Sequence, residues 1–114
     1  MGYERTAHEL YTSCSNYFDW VNKDYKIPVD QKTLFNMGKC QGIIETLGKT
    51  MLTLCYEKKR NMSINSKLTA NLKGIKTIDI VKKFVKEAYN DGGLRSISSH
   101  SYLLDFISKT WPCK

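Results

Sequence analysis

Four cysteines, at positions 14, 40, 55 and 113, constrain the fold of this 114-residue chain more than any other feature. A structural zinc ion needs ligand pairs a few residues apart, and the sequence has neither a Cys-x2-Cys nor a His-x3-His pair. An even number of widely spaced cysteines in a short chain therefore favours two disulfides and an oxidising compartment. The alternative is a cytosolic protein with four reduced, buried thiols.

Apolar residues recur at helical spacing in the first half of the chain. The first predicted helix covers residues 6–20, and Thr6 with Glu9 forms a capping box at its start. The second predicted helix covers residues 30–56 and opens on an aspartate, which is a favourable N-cap. Residues 1–5 precede this pattern and are expected to lie outside the folded part.

Two more helices are predicted in the second half. Thr77 is expected to cap a helix that stops at the polar and glycine-rich residues 90–93. The last helix begins near Ser98 or Ser99, and Pro112 ends it. No strand pattern is seen, so the sequence predicts an all-α fold, a compact bundle of four main helices in one domain that spans the whole chain.

Three glycines, Gly38, Gly42 and Gly48, interrupt the second predicted helix. Each costs a helix up to about 1 kcal/mol relative to alanine. Their presence in one helix predicts that another backbone packs close against it.

Helix register restricts how the cysteines can pair. Cys40 and Cys55 cannot pair on one straight helix, where the intervening rise is roughly 22 Å, because a disulfide needs Cα atoms within about 7 Å. Two connectivities remain: Cys14–Cys40 with Cys55–Cys113, or Cys14–Cys55 with Cys40–Cys113. An antiparallel hairpin of the first two helices would place Cys14 and Cys40 at the same level, which favours the first connectivity.

The net charge of +7 is concentrated in one stretch of the chain. Residues 58–86 hold nine of the 18 basic side chains and one acidic residue, Asp79, and the remainder is close to neutral. Such a patch can attract nucleic acid, anionic lipid or an acidic protein, and it can also be a solvated lysine-rich face. Nucleic acid is not the expected partner, because Arg60 is the one arginine among the lysines.

The residues that could support catalysis do not form a recognisable set. His8 lies in a helical first turn, and His100 lies among serines on one turn, where adjacent residues do not face each other. Cysteines in disulfides cannot act as nucleophiles. We therefore expect no enzyme and no metal or other cofactor, and the lack of a long apolar run predicts no membrane insertion.

The order of the cysteines and their flanking residues resembles a known family. A helix carries Leu-x3-Cys at residues 10–14, and Gly-x-Cys-x-Gly-Ile-Ile at residues 38–44 opens the body of the helix that ends near Cys55. Gly-Ile-Lys-Thr at residues 74–77 precedes another helix, and Trp-Pro-Cys at residues 111–113 closes the pattern. This ordered set is similar to the Rap/Tai immunity proteins of type VI secretion systems, which are small exported helical proteins that neutralise peptidoglycan amidase toxins.

The resemblance implies a non-catalytic immunity protein in the periplasm, as a mature form after removal of a signal peptide. The implied partner is a cognate amidase effector, whose Cys-His active site is blocked by occlusion. Many members are dimers, so the glycine face of the second helix could serve a homodimer as well as the core. Contacts are expected in residues 57–76, which are basic and predicted to be a loop with a short helix or a poorly periodic helix, and which depend least on the core. The candidate contact residues are Tyr56, Lys58, Lys59, Arg60, Met62, Ile64 and Lys67.

A periplasmic helical chaperone or a small-ligand carrier is the alternative class. An acid-activated chaperone would expose apolar surface on acidification, but the chain has few carboxylates to trigger that change. A carrier of the insect odorant-binding type would contain a Cys-x3-Cys pair, which this sequence lacks.

Overall fold

The structure is a computed structural model that describes residues 6–23, 26, 28–90 and 93–113. The prediction for residues 1–5 falls outside this range. Within the described range the fold is all-α, as predicted, and contains no strand. Its main helices are α1 (Ala7–Asn22), α2 (Gln31–Lys58), α3 (Thr77–Tyr89) and α4 (Ser99–Thr110), and short 3-10 helices form at Ser66–Leu68 and Leu94–Ser96.

Local hydrogen bonds at the predicted N-caps fix where three of the helices begin. The hydroxyl of Thr6 accepts the N–H of Glu9 at 3.2 Å at the start of α1. At the start of α2 the carboxylate of Asp30 accepts the N–H of Thr33 at 2.7 Å. The hydrogen bonds from the side chain and backbone of Thr33 lower the pKa of the Asp30 carboxyl. Ser98 caps α4 in the same way.

The start of α3 differs from the prediction. Thr77 is the first helical residue and not the N-cap, which is Lys76. The carboxylate of Asp79 accepts the N–H of Lys76 at 3.3 Å, so the capping contact comes from inside the first turn. A carboxylate in that turn also interacts favourably with the positive end of the helix dipole.

One hydrophobic core joins the four helices, and α1 packs against all three of the others. The largest fully buried side chain is Phe84 of α3. Its ring lies against Tyr102 and Phe106 of α4, with centroids 5.7 and 6.2 Å away. The Phe84–Tyr102 pair is edge-on, an arrangement that aromatic pairs favour, and the Phe84–Phe106 pair is tilted. They lock α3 to α4.

Both predicted disulfides are present, and the second connectivity is excluded. Cys14–Cys40 joins α1 to α2 with a Cα–Cα distance of 5.2 Å. Cys55–Cys113 joins the end of α2 to the C-terminal segment with a Cα–Cα distance of 5.7 Å. The first bridge lies about as far from the end of α1 as from the start of α2, as expected for an antiparallel helical hairpin.

Within the described residues of the chain, no other backbone packs against the glycines of α2, so the prediction of a close backbone within the monomer is wrong. Gly38 and Gly42 are exposed, and a Cβ added to either would meet no atom of the described residues within 4 Å. Gly48 is buried, and a Cβ there would lie 3.2 Å from Cδ1 of Leu72 and 3.6 Å from Cδ1 of Ile80. The missing side chain of Gly48 therefore makes room for side chains.

This difference predicts unequal responses to the same substitution. Gly42→Ala is expected to raise the free energy of unfolding by about 0.5–1 kcal/mol, because alanine favours the helix and meets no neighbour. Gly48→Ala is expected to raise the free energy of unfolding by less, because the added methyl group would crowd the side chain of Leu72. Urea unfolding followed by circular dichroism would measure both. Equal gains at the two positions would show that Gly48 is not closely packed.

Candidate partner-binding surface

The predicted contact residues lie together at the C-terminal end of α2 and in the chain that follows it. Tyr56 and Lys58 belong to the last turn of α2, and Lys59 is its C-cap. An irregular turn carries the chain to the 3-10 helix, which contains Lys67. We call residues 56–68 the tip surface. For residues 57–76 the prediction of a loop with a short helix is confirmed, and the alternative of a poorly periodic helix is wrong.

Large apolar side chains and basic side chains are exposed side by side on the tip surface. The exposed fractions are 45% for Tyr56, 78% for Met62 and 41% for Leu68. The basic residues exposed among them are Lys59, Arg60 and Lys67. Leu68 was not among the predicted contact residues, because an apolar residue in an aperiodic stretch is equally consistent with a core position. Aromatic, methionine and arginine side chains are enriched at protein–protein interfaces, and exposed apolar patches often mark such sites.

Hydrogen bonds and a cation–π contact order the tip surface internally. The ammonium of Lys59 lies 5.8 Å from the ring centroid of Tyr56, within cation–π distance. The N–H of Asn61 donates to the carbonyl of Glu57 at 2.9 Å, which turns the chain back at the end of α2. The Asn61 side chain then accepts from the N–H and the hydroxyl of Ser63, at 3.1 and 2.6 Å. The turn therefore has a defined shape.

Two of the predicted contact residues, Lys58 and Ile64, interact with each other within the tip surface. Lys58 is half-buried, and its ammonium donates to the carbonyl of Ile64 at 2.9 Å. Ile64 is also half-buried, unlike its neighbours on the turn. The position of both residues indicates a role in shaping the tip surface.

The chain after the tip surface belongs to the core, and here the prediction is wrong. Residues 69–72 were expected to depend little on the core, yet Thr69 and Ala70 are fully buried. The N–H of Asn71 donates to the carbonyl of Trp111 at 2.8 Å. This segment is an extended piece of core, so the exposed contact region ends before it.

An open hollow with a mainly apolar lining and a few polar groups adjoins the tip surface beside the Cys55–Cys113 bridge. It has a volume of about 320 Å³ and is lined by Ser66, Lys67, Ser108, Pro112 and Cys113. A lysine and two serine hydroxyls supply its polar groups. Such a hollow can accept an acidic or polar side chain of a partner.

A second, mainly apolar groove runs along the exposed side of α2. Its lining residues are Gly42, Ile43, Thr46, Leu47, Thr50 and His100. The hydroxyl of Thr50 donates to the carbonyl of Thr46 at 3.0 Å, so it is already engaged within the helix. Further along the same helix, Leu34 and Phe35 are exposed to 48% and 63%.

Histidine, cysteine, aspartate and glutamate are the side chains that could support catalysis or bind a metal. Among the described residues no three His, Cys, Asp or Glu side chains come together as a metal-ligand set. His100 lies in the first turn of α4, where the hydroxyl of Ser98 accepts the N–H of Ser101 at 3.1 Å as the helix cap. No helix in the described part of the chain has the length and apolar character needed to cross a bilayer.

Comparison of the chain with protein-family models, with characterised proteins and with solved structures finds no match in any of the three.

The contribution of each disulfide to stability can be tested separately, because Cys55–Cys113 lies next to the tip surface and Cys14–Cys40 lies away from it. Replacing Cys55 and Cys113 by serine is expected to lower the free energy of unfolding by about 4 kcal/mol, because a separation of 58 residues loses its cross-link. The same change at Cys14 and Cys40, with a separation of 26 residues, is expected to cost about 3.5 kcal/mol. Denaturant unfolding of the two double variants would measure both losses. A cost below about 1 kcal/mol for either pair would contradict a stabilising native bridge.

Proposed function

We propose that this chain is an immunity protein that binds and occludes a peptidoglycan amidase toxin of a type VI secretion system in the periplasm, as the mature form of an exported protein. The tip surface is the observation that carries the proposal, because it presents exposed anchors on a turn that is already ordered. The two disulfides support an oxidising compartment. The resemblance of the cysteine framework to the Rap/Tai proteins supports the toxin class.

Inhibition by occlusion requires a few strong anchors and no chemistry. Binding energy at protein interfaces is concentrated in a few residues, and aromatic, arginine and methionine side chains are enriched there. Tyr56, Arg60 and Met62 are residues of these types, and all three are exposed on the tip surface. Methionine is flexible and polarisable, so Met62 can fill an irregular pocket in a catalytic cleft.

The positive charge of the tip surface would have a second role, which is to attract the partner. The excess positive charge of the chain lies in residues 58–86, and the tip surface contains the first part of it. An acidic partner surface would be attracted over a distance and would collide more often in the correct orientation. Lys67 lines the hollow beside the Cys55–Cys113 bridge, and it would then form an ion pair with an acidic side chain of the toxin.

The proposal includes a homodimer as a further form, with the groove of α2 as its contact. The exposed Gly42 allows a second helix to approach closely. If two copies of α2 crossed antiparallel at Gly42, Lys39 of one copy would face Glu45 of the other, so the contact would be charge-complementary.

Co-expression with the toxin tests the function directly. The exported chain is expected to abolish lysis by a Cys-His amidase encoded next to it, whereas the chain retained in the cytoplasm is expected to give no protection. The triple variant Tyr56→Ala, Arg60→Ala, Met62→Ala should lose protection, because hot-spot truncations together weaken binding by about 100-fold or more. Survival assays together with calorimetric binding would measure both effects.

Tyr89 supplies the matched control for that experiment. It is a large aromatic residue on α3, exposed to 76% and outside the tip surface. Tyr89→Ala should protect as well as the wild type. Protection by cytoplasmic chain alone, or full protection by the triple variant, would contradict the proposal.

Charge reversal tests the steering role. Changing Lys59 and Lys67 to Glu is expected to slow association about tenfold at low ionic strength and to leave dissociation largely unchanged. The difference from wild type should shrink in about 1 M salt, where the Debye length is about 3 Å. Stopped-flow kinetics over a salt series would measure it.

The same charge change at Lys83 and Lys86 is the control, because both are exposed on α3 outside the tip surface. A smaller effect is expected there. Wild-type association that does not respond to salt would refute steering, and micromolar binding of DNA at physiological salt would favour a nucleic-acid partner.

A further inference from the structure

Lys58 differs from the other basic residues of the tip surface in its surroundings. It is half-buried, whereas Lys59, Arg60 and Lys67 are exposed. Its ammonium reaches across six residues to the carbonyl of Ile64, at a distance of 2.9 Å. This hydrogen bond connects the last turn of α2 to the far side of the turn that follows.

The contact closes a loop whose other hydrogen bonds are short-range. Asn61 donates to the carbonyl of Glu57 and accepts from the N–H groups of Ser63 and Ile64, so each of these bonds spans four residues or fewer. The Lys58 ammonium is charged and partly shielded from water, and both conditions strengthen a hydrogen bond. Without this bond, the short-range hydrogen bonds would link Ile64 to the helix only indirectly, through Asn61.

Met62 lies between the two ends of this closure, and its side chain is exposed to 78%. Its position therefore depends on how the turn is held. A loop that is held in its bound shape before binding loses less conformational entropy when the partner arrives, so it binds more tightly for the same contacts.

We infer that Lys58 is a positioning residue, which holds residues 59–65 in one conformation so that Met62 is presented to the partner, and that it is not a contact residue. The inference rests on the proposed function only for the identity of the partner. It assigns different roles to Lys58 and Lys59, which are adjacent and chemically identical.

Proteolysis of the protein without a partner tests the holding role. An arginine-specific protease cuts after Arg60, and its sites do not change when a lysine is replaced by methionine. Lys58→Met keeps the apolar stem and removes the donors, and it is expected to speed cleavage at Arg60 about tenfold at an unchanged melting temperature. Lys58→Arg restores a donor but adds a cleavage site after position 58, so mass spectrometry of the early fragments is used to score cleavage after Arg60 alone, and that rate should return to the wild-type value. Lys59→Met is the matched control and should cleave as wild type does.

Equal cleavage of Lys58→Met and Lys59→Met would overturn the inference, and so would a failure of arginine to rescue. Because these measurements need no toxin, they decide the holding role even if no amidase binds, which would be the failure of the proposed function. With an amidase that binds, Lys58→Met should weaken binding about tenfold and Lys58→Arg should not. Unchanged binding of Lys58→Met beside faster cleavage would contradict a role in presenting Met62.

Discussion

The anchoring of the C-terminal half of α2 is the constraint on which the rest of the structure depends. With 28 residues, α2 is about 42 Å long, whereas α1 with 16 residues is about 24 Å long. The hairpin held by Cys14–Cys40 therefore cannot cover all of α2. The remainder is held by the buried residues Thr69, Ala70 and Leu72, by the side chains that pack over Gly48 and by the Cys55–Cys113 bridge.

This anchoring explains why an exposed turn can be well defined. The bridge at Cys55 fixes the base of the tip surface on one side, and the buried Thr69 fixes it on the other. Between these points the chain makes local hydrogen bonds and leaves Tyr56 and Met62 exposed. Under the proposed function, contact residues on a rigid base would lose little entropy on binding, which favours a tight complex.

The sequence predicted features that depend on neighbours along the chain, and it failed where distant contacts decide. The caps at Thr6 and Asp30 are local, and the disulfide pairing followed from helix register, so all were found. Thr69, Ala70 and Leu72 are buried through contacts with distant residues, and hydrogen bonds join this segment to Met51 and Trp111; an aperiodic stretch gives no sign of such contacts. The same limit applies to the candidate site, because sequence cannot distinguish the half-buried Lys58 from the exposed Lys59.

The position of the tip surface has a consequence for how such a protein can change its specificity. Apart from the half-buried Lys58 and Ile64, residues 56–68 are exposed, and none of them belongs to the hydrophobic core cluster. Exposed substitutions usually change the free energy of unfolding by no more than about 0.5 kcal/mol. Under the proposed function, the anchors at positions 56, 60 and 62 can therefore vary with the toxin while the core and the two disulfides stay the same. Position 58 cannot vary as freely, because a change there alters the shape of the turn that carries the anchors.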